Sequence, residues 1–179
     1  ESVKLLLARW QRARTVHTPD GETQQPGITA KLGAELQPLR AALEHLAYEA
    51  HVRQGELPEH DDVPADIPEN EVLAVLSKHL PGDVNARDAV PYLKHRAGLL
   101  LERRPEVYAF PHRSFQEYLA ACYLAETERD FGAALRDRVW EDPTWWREVF
   151  LLGVGKAKQG GLGKDRKSTR LNSSHYRTS

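Results

Sequence analysis

The sequence predicts a mainly α-helical chain carrying one small β-hairpin, and three observations lead there. Apolar residues recur at i, i+3, i+4 and i+7 in several separate stretches, the spacing of one buried helix face. After Gly98 that period stops, and LLLER, RPE and VYAFPH read as two short strands around a tight turn. The order through the middle of the chain is three helices and then the hairpin. That is the order of a winged-helix domain, here flanked by helical segments.

Taken in order, residues 2–14 read as a helix with Val3, Leu6, Leu7 and Trp10 on one face. Residues 15–31, TVHTPDGETQQPGITAK, have no apolar period and read as a loop or linker, so residues 1–31 are expected to close a preceding helical domain. The winged-helix domain is expected over 32–112. Its first helix runs from about Leu36 to Arg53 on Leu39, Leu43, Leu46, Ala47 and Ala50, with Gly55 just past its end. An acidic, proline-punctuated loop over 55–68 leads to a second helix near Pro68, with Val72, Leu73, Leu76 and Leu80 inward. A third helix is expected with its N-cap at Asp88, because that places Pro91 in the first turn, where no intrahelical N–H is lost. Val90, Leu93 and Ala97 then face inward and Gly98 ends the helix. The wing hairpin follows at about 99–111.

Beyond the wing, Ser114 and Glu117 have capping-box spacing, so a helix is expected over 114–127 with Phe115, Tyr118, Leu119 and Cys122 as its stripe. In EDPTWWREVFLLG, Asp142 caps, Pro143 takes the first helical position, and Trp146, Val149, Phe150 and Gly153 share a side. Residues 113–164 thus lead into a second helical domain.

The chain begins in mid-helix at Glu1 and holds no methionine, as expected of a fragment. At the other end, DRKSTRLNSSH at 165–175 resembles the in-frame translation of a sequencing-library adapter, and 165–179 is expected not to be native. Without Arg166, Lys167, Arg170, Arg177 and Asp165, 21 bases face 25 acids, a net charge of −4. That balance gives no general pull toward nucleic acid or an anionic membrane. The apolar runs are too short to span a bilayer and no signal peptide stands at the start, so a cytoplasmic protein without a membrane partner is expected. A lone cysteine, Cys122, excludes an internal disulfide framework.

Several candidate chemistries fall on inspection. Arg87, Lys94, His95 and Arg96 on the helix before the wing, with Arg103 and Arg104 in it, are the DNA-reading candidates, yet acids surround them and no basic stripe emerges. His45, Glu49 and His51, and the EHDD at 59–62, lack metal-site spacing. GVGK at 153–156 and GLGK at 161–164 lack the earlier glycine, the following Ser or Thr and the preceding strand of a phosphate loop. No nucleophile, base and orienter stand together, so no enzyme activity is expected of this fragment. What remains is FPHRSFQEYLAA at 110–121, which sets His112 and Arg113 at the positive end of a helix, where an anion is welcome.

FPHRSFQEYLAACYLA closely resembles the F-x-H-x-S/T-F-Q-E-Y/F-x-A-A segment of NACHT proteins, signalling ATPases of the STAND class. ESVKLLLARW is similar to the helix after that family's ATPase core, and WEDPTWWREVFLLGVG to the segment opening the helical region beyond its winged helix. The resemblance implies a switch that is closed with ADP and, on exchange for ATP with magnesium, opens and forms homo-oligomers. It implies that the winged helix packs against the ATPase core of its own chain and that His112 contacts the ADP phosphate. The lysine and acids that bind phosphate and magnesium belong to that core and are absent here. With the Ala/Arg/Leu-rich composition, the resemblance implies a bacterial signalling role in defence, for instance against phage. The alternative is a winged-helix transcriptional regulator that binds DNA.

Overall fold

The structure is a computed structural model that describes residues 14–18, 21–25, 36–57, 63–94 and 98–160. Of the helix expected over 2–14, residues 2–13 lie outside the described residues and Arg14 is in a strand instead; the EHDD acids, His95, Arg96, Ala97, the GLGK segment and the adapter-like tail also lie outside them. Among the described residues the fold is mainly helical, as expected, with six helices and a small antiparallel sheet at the wing.

The first described element corrects an expectation. Strands β1 (Arg14–Thr18) and β2 (Gly21–Gln25) form an antiparallel hairpin within the stretch expected to be a loop. Thr18 pairs with Gly21, and the β-branched Thr15, Val16 and Thr18 ahead of a Pro-Asp-Gly run are the local signal for it.

Helix α1 (Leu36–Gly55) buries Leu39, Ala42, Leu43, Leu46, Ala47 and Ala50, the expected stripe with Ala42 added. A two-residue strand, β3 (Ile67–Pro68), comes next, and helix α2 (Glu69–His79) follows directly with Pro68 as N-cap. Glu69 and Glu71 occupy its first turn and Lys78 and His79 its last, both matched to the helix dipole. Helix α3 (Ala86–Tyr92) starts earlier than expected. Its N-cap is Asn85, whose side chain accepts from the Arg87 N–H, and Asp88 lies inside the first turn. Pro91 therefore falls inside the helix, where it removes a donor and crowds the carbonyl four residues back; beyond Tyr92 the α-helix passes into a π turn at Leu93 and Lys94. Gly98 has φ +60°, the left-handed conformation expected of the stop.

The wing pairs β4 (Leu101–Arg104) with β5 (Val107–Ala109), and β3 lies on the other side of β5. Ile67 faces Tyr108 and Leu101 faces Ala109, with a register irregularity between Glu102 and Arg104. The order α1, β3, α2, α3, β4, β5 is the winged-helix arrangement with its small third strand. Its core joins α1, Ile67, Val72, Val75, Leu76, Val90, Leu93, Leu99, Leu100, Tyr108 and Phe110. Burying each of the larger aliphatic side chains contributes about 1.5–3 kcal/mol.

Helix α4 (Arg113–Thr127) leaves the wing and spans two cores. Leu119 packs in the winged-helix core, while Ala121 and Leu124 pack with Leu135, Trp145, Trp146 and Val149. Its burial is accordingly wider than one stripe, and Phe115 and Tyr118 are only partly buried. The capping box is not made: His112 is the N-cap, and the buried Glu117 binds Arg113 instead. Helix α5 (Phe131–Glu141), capped by Asp130, was not expected, since its only buried residue is Leu135. Asp142 holds the turn that follows by accepting from the Thr144 and Trp145 N–H groups. Helix α6 (Arg147–Gly160) begins after that turn, four residues later than Pro143, and includes GVGK. Gly153 there lets α6 lie against Phe131, since a Cβ would meet that ring at 2.7 Å.

Candidate functional site

The stretch 110–121 can be accounted for residue by residue. Phe110 is buried and its ring lies 6.0 Å from that of Phe115. Gln116 is fully buried and its side-chain oxygen accepts from the Ala65 N–H at 3.0 Å, pinning the segment before β3 to α4. Glu117 is 4% exposed and accepts from Arg113 Nε at 2.9 Å. Leu119, Ala120 and Ala121 are buried. His112 and Ser114 are the exposed side chains of the stretch. His112 has an extended backbone (φ −142°, ψ 145°), and its carbonyl accepts from the N–H groups of Phe115 and Gln116. Its imidazole makes no capping hydrogen bond and stands in solvent beside the first turn of α4.

Arg113, expected to share an anion with His112, is held in place by its neighbours. Its guanidinium binds Glu117 and lies 4.5 Å from the Trp145 ring centroid, a cation–π contact. Trp145 is buried, stacks on His51 at 4.6 Å between centroids, and donates its indole N–H to the His51 carbonyl. Sequence reasoning missed this group, taking Trp146 for the core face and leaving Trp145 unassigned. The signal was the Trp-Trp pair just after the Asp142-Pro143-Thr144 turn sequence.

The competing sites do not assemble. Arg103 and Arg104 share one carboxylate, Asp66, and Lys94 before the wing pairs with Glu102, so acids are interleaved with these bases and no uninterrupted basic face forms among them. Arg87 is exposed, on the helix that Asn85 caps. His45 binds Glu49 and His79, His51 packs on Trp145 and Trp146, and no group of three metal-ligating residues occurs among the described residues. Burial raises the Cys122 thiol above its ordinary pKa, which suits an inert core residue. Among the described residues no helix is long and apolar enough to cross a membrane.

The family model for the winged helix-turn-helix domain C-terminal to NACHT matches residues 1–124. The chain belongs to that family. No curated protein and no solved structure matches the chain significantly. For a NACHT-associated winged helix, the matched span takes in the described elements from β1 through the wing and most of α4. His112 and the Arg113–Glu117 pair lie inside that span, whereas Trp145 lies beyond it.

Proposed function

We propose that this chain is the regulatory, nucleotide-sensing part of a NACHT-type signalling ATPase. In this reading the winged helix packs against the ATPase core of its own chain and closes over ADP. Exchange for ATP opens the protein, and the opened form assembles into homo-oligomers. The output is a signal in bacterial defence, for instance against phage, carried out in the cytoplasm. The nucleotide and magnesium are held by the core, and this segment hydrolyses nothing itself.

The observation that carries the reading is the position of His112. In a stretch where only Ser114 is exposed beside it, its imidazole stands at the N-terminus of α4, in a chain of the NACHT-associated family. An imidazole N–H and the positive end of a helix together favour a phosphate oxygen. The contact favours the closed state only to the extent that it is lost on opening. The test is His112→Ala in the complete protein. ADP should leave faster and basal activation should rise; unchanged release and unchanged basal activity would remove the reading.

A DNA-binding regulator is the alternative. The pairing of Arg103 and Arg104 with Asp66 weakens it, because a phosphate would have to displace an internal carboxylate. Salt-dependent DNA binding that disappears on replacing both arginines would favour it instead.

A further inference from the structure

His112 is joined to the helices beyond the winged helix through its neighbour. Arg113, the first residue of α4, binds Glu117 Oε1 at 2.9 Å and lies over the Trp145 indole at 4.5 Å. Trp145 belongs to the turn between α5 and α6, and its indole N–H donates to the His51 carbonyl of α1 at 3.2 Å. Asp142 fixes that turn through the Trp145 N–H at 2.9 Å. At Gly55 an added Cβ would lie 2.6 Å from the indole Nε1, so the ring fills the space beside the end of α1. A flat guanidinium held by a buried carboxylate on one side and an indole on the other has little freedom. The residue directly after His112 is thereby tied to a turn thirty-two positions further along the chain.

We propose that Arg113 and Trp145 form a latch through which the α5–α6 pair sets the position of His112 and so controls how tightly ADP is retained. This rests on the reading of His112 as the nucleotide contact. Arg113 and Trp145 are positioning residues; they act through His112. Movement of α5–α6 loosens the latch and lets His112 leave the phosphate. By reciprocity, ADP bound at His112 steadies the α5–α6 turn.

The experiment follows release of a fluorescent ADP analogue from the complete protein, for the wild type, Arg113→Lys, Trp145→Phe, His112→Ala and each latch change combined with His112→Ala. Arg113→Lys keeps a charge for Glu117 but loses the planar face; Trp145→Phe keeps an aromatic ring but loses the N–H. Each latch change should speed release by about fivefold or more, the low end of common inter-site coupling. On the His112→Ala background they should add nothing, since they act through that residue. A second arm needs no substitution: ADP should slow amide hydrogen exchange over residues 142–150 in the wild type. Wild-type release in both latch variants, undiminished effects on the His112→Ala background, or exchange over 142–150 indifferent to ADP would each overturn the latch while leaving His112 as the contact. Unchanged release in His112→Ala would overturn the nucleotide reading itself, and the latch with it.

Discussion

Gly55 and Trp145 meet at a distance that leaves no room for a side chain on the first. A Cβ at position 55 would lie 2.6 Å from the indole Nε1 and 2.8 Å from Cδ1. The ring has little freedom to retreat, because it is buried against His51 and donates to the His51 carbonyl. The close approach, more than any need to end a helix, explains glycine at the last residue of α1.

Gly55→Ala should therefore destabilise the protein although alanine is the better helix former. The propensity gain is at most about 1 kcal/mol in a helix interior and less at the final residue. Forcing extra volume into a packed site costs typically about 1–3 kcal/mol. Urea unfolding should show a net loss of roughly 1 kcal/mol or more. A variant as stable as the wild type would mean that the indole moves aside freely, against the packing described above.

The start of α3 gives a sharper comparison. Asn85 accepts from the Arg87 N–H and Asp88 does not cap. Asn85→Ala should cost about 1 kcal/mol, the usual worth of an N-cap. Asp88→Ala, at an exposed first-turn position, should stay within about 0.5 kcal/mol. Thermal melts of the two variants decide it, and a larger loss at Asp88 would restore the later helix start that the proline had suggested.

That helix shows where sequence reasoning reaches its limit. A proline inside a helix is costly, which argues for placing Pro91 in a first turn, yet the fold carries it inside α3 and relaxes into a π turn at Leu93 and Lys94. The stripes of α1 and α2 are legible because each buries one apolar face, and the wing because its period changes after Gly98 although β4 itself is exposed throughout. Helix α5 was hidden because Leu135 is its only fully buried residue and Trp140 is 86% exposed, so no stripe stands out. At the site, His112 was legible from its place before the helix, but Arg113 was read as anion-facing. Its partners Glu117 and Trp145 are four and thirty-two residues away, and only the first lies within reach of a sequence-spacing argument. The capping-box pattern misled because Glu117 has a stronger partner in a guanidinium than in a backbone N–H.

A second buried pair makes a test of charge burial. Arg40 Nε donates to Glu44 Oε1 at 2.7 Å on α1, and the Glu44 side chain is nearly inaccessible. Arg40→Met strands that carboxylate and should cost about 3–5 kcal/mol at neutral pH. Adding Glu44→Leu should return most of the loss, because the uncompensated charge is then gone. Equal stability for the single and double variants, in chemical denaturation at pH 7, would show that Glu44 finds water when its partner is removed.

The joint between α1 and α2 should make stability depend on pH in the weakly acidic range. His45 Nδ1 and His79 Nε2 are 2.9 Å apart, and His45 Nε2 lies 3.0 Å from Glu49 Oε1. With both rings neutral, one N–H donates across the gap and the other ring accepts. One added proton is tolerated, but two would set N–H against N–H. Burial lowers the His79 pKa below its ordinary 6.5, the neighbouring His45 and Lys78 lower it further, and Glu49 opposes them. Tyr123, stacked on His45 at 4.8 Å, stays neutral here, its own pKa raised by burial. Because the folded pKa of His79 lies below the unfolded one, the unfolded chain binds more protons under pH 6.5, and stability falls from there as pH drops through the folded value. Unfolding midpoints should be level from about pH 7.5 to 8 and decline between about 6.5 and 5, above the range where carboxylates dominate. His79→Gln should flatten that decline whatever it does to stability at pH 8. An undiminished slope in His79→Gln would place the acid sensitivity elsewhere in the fold.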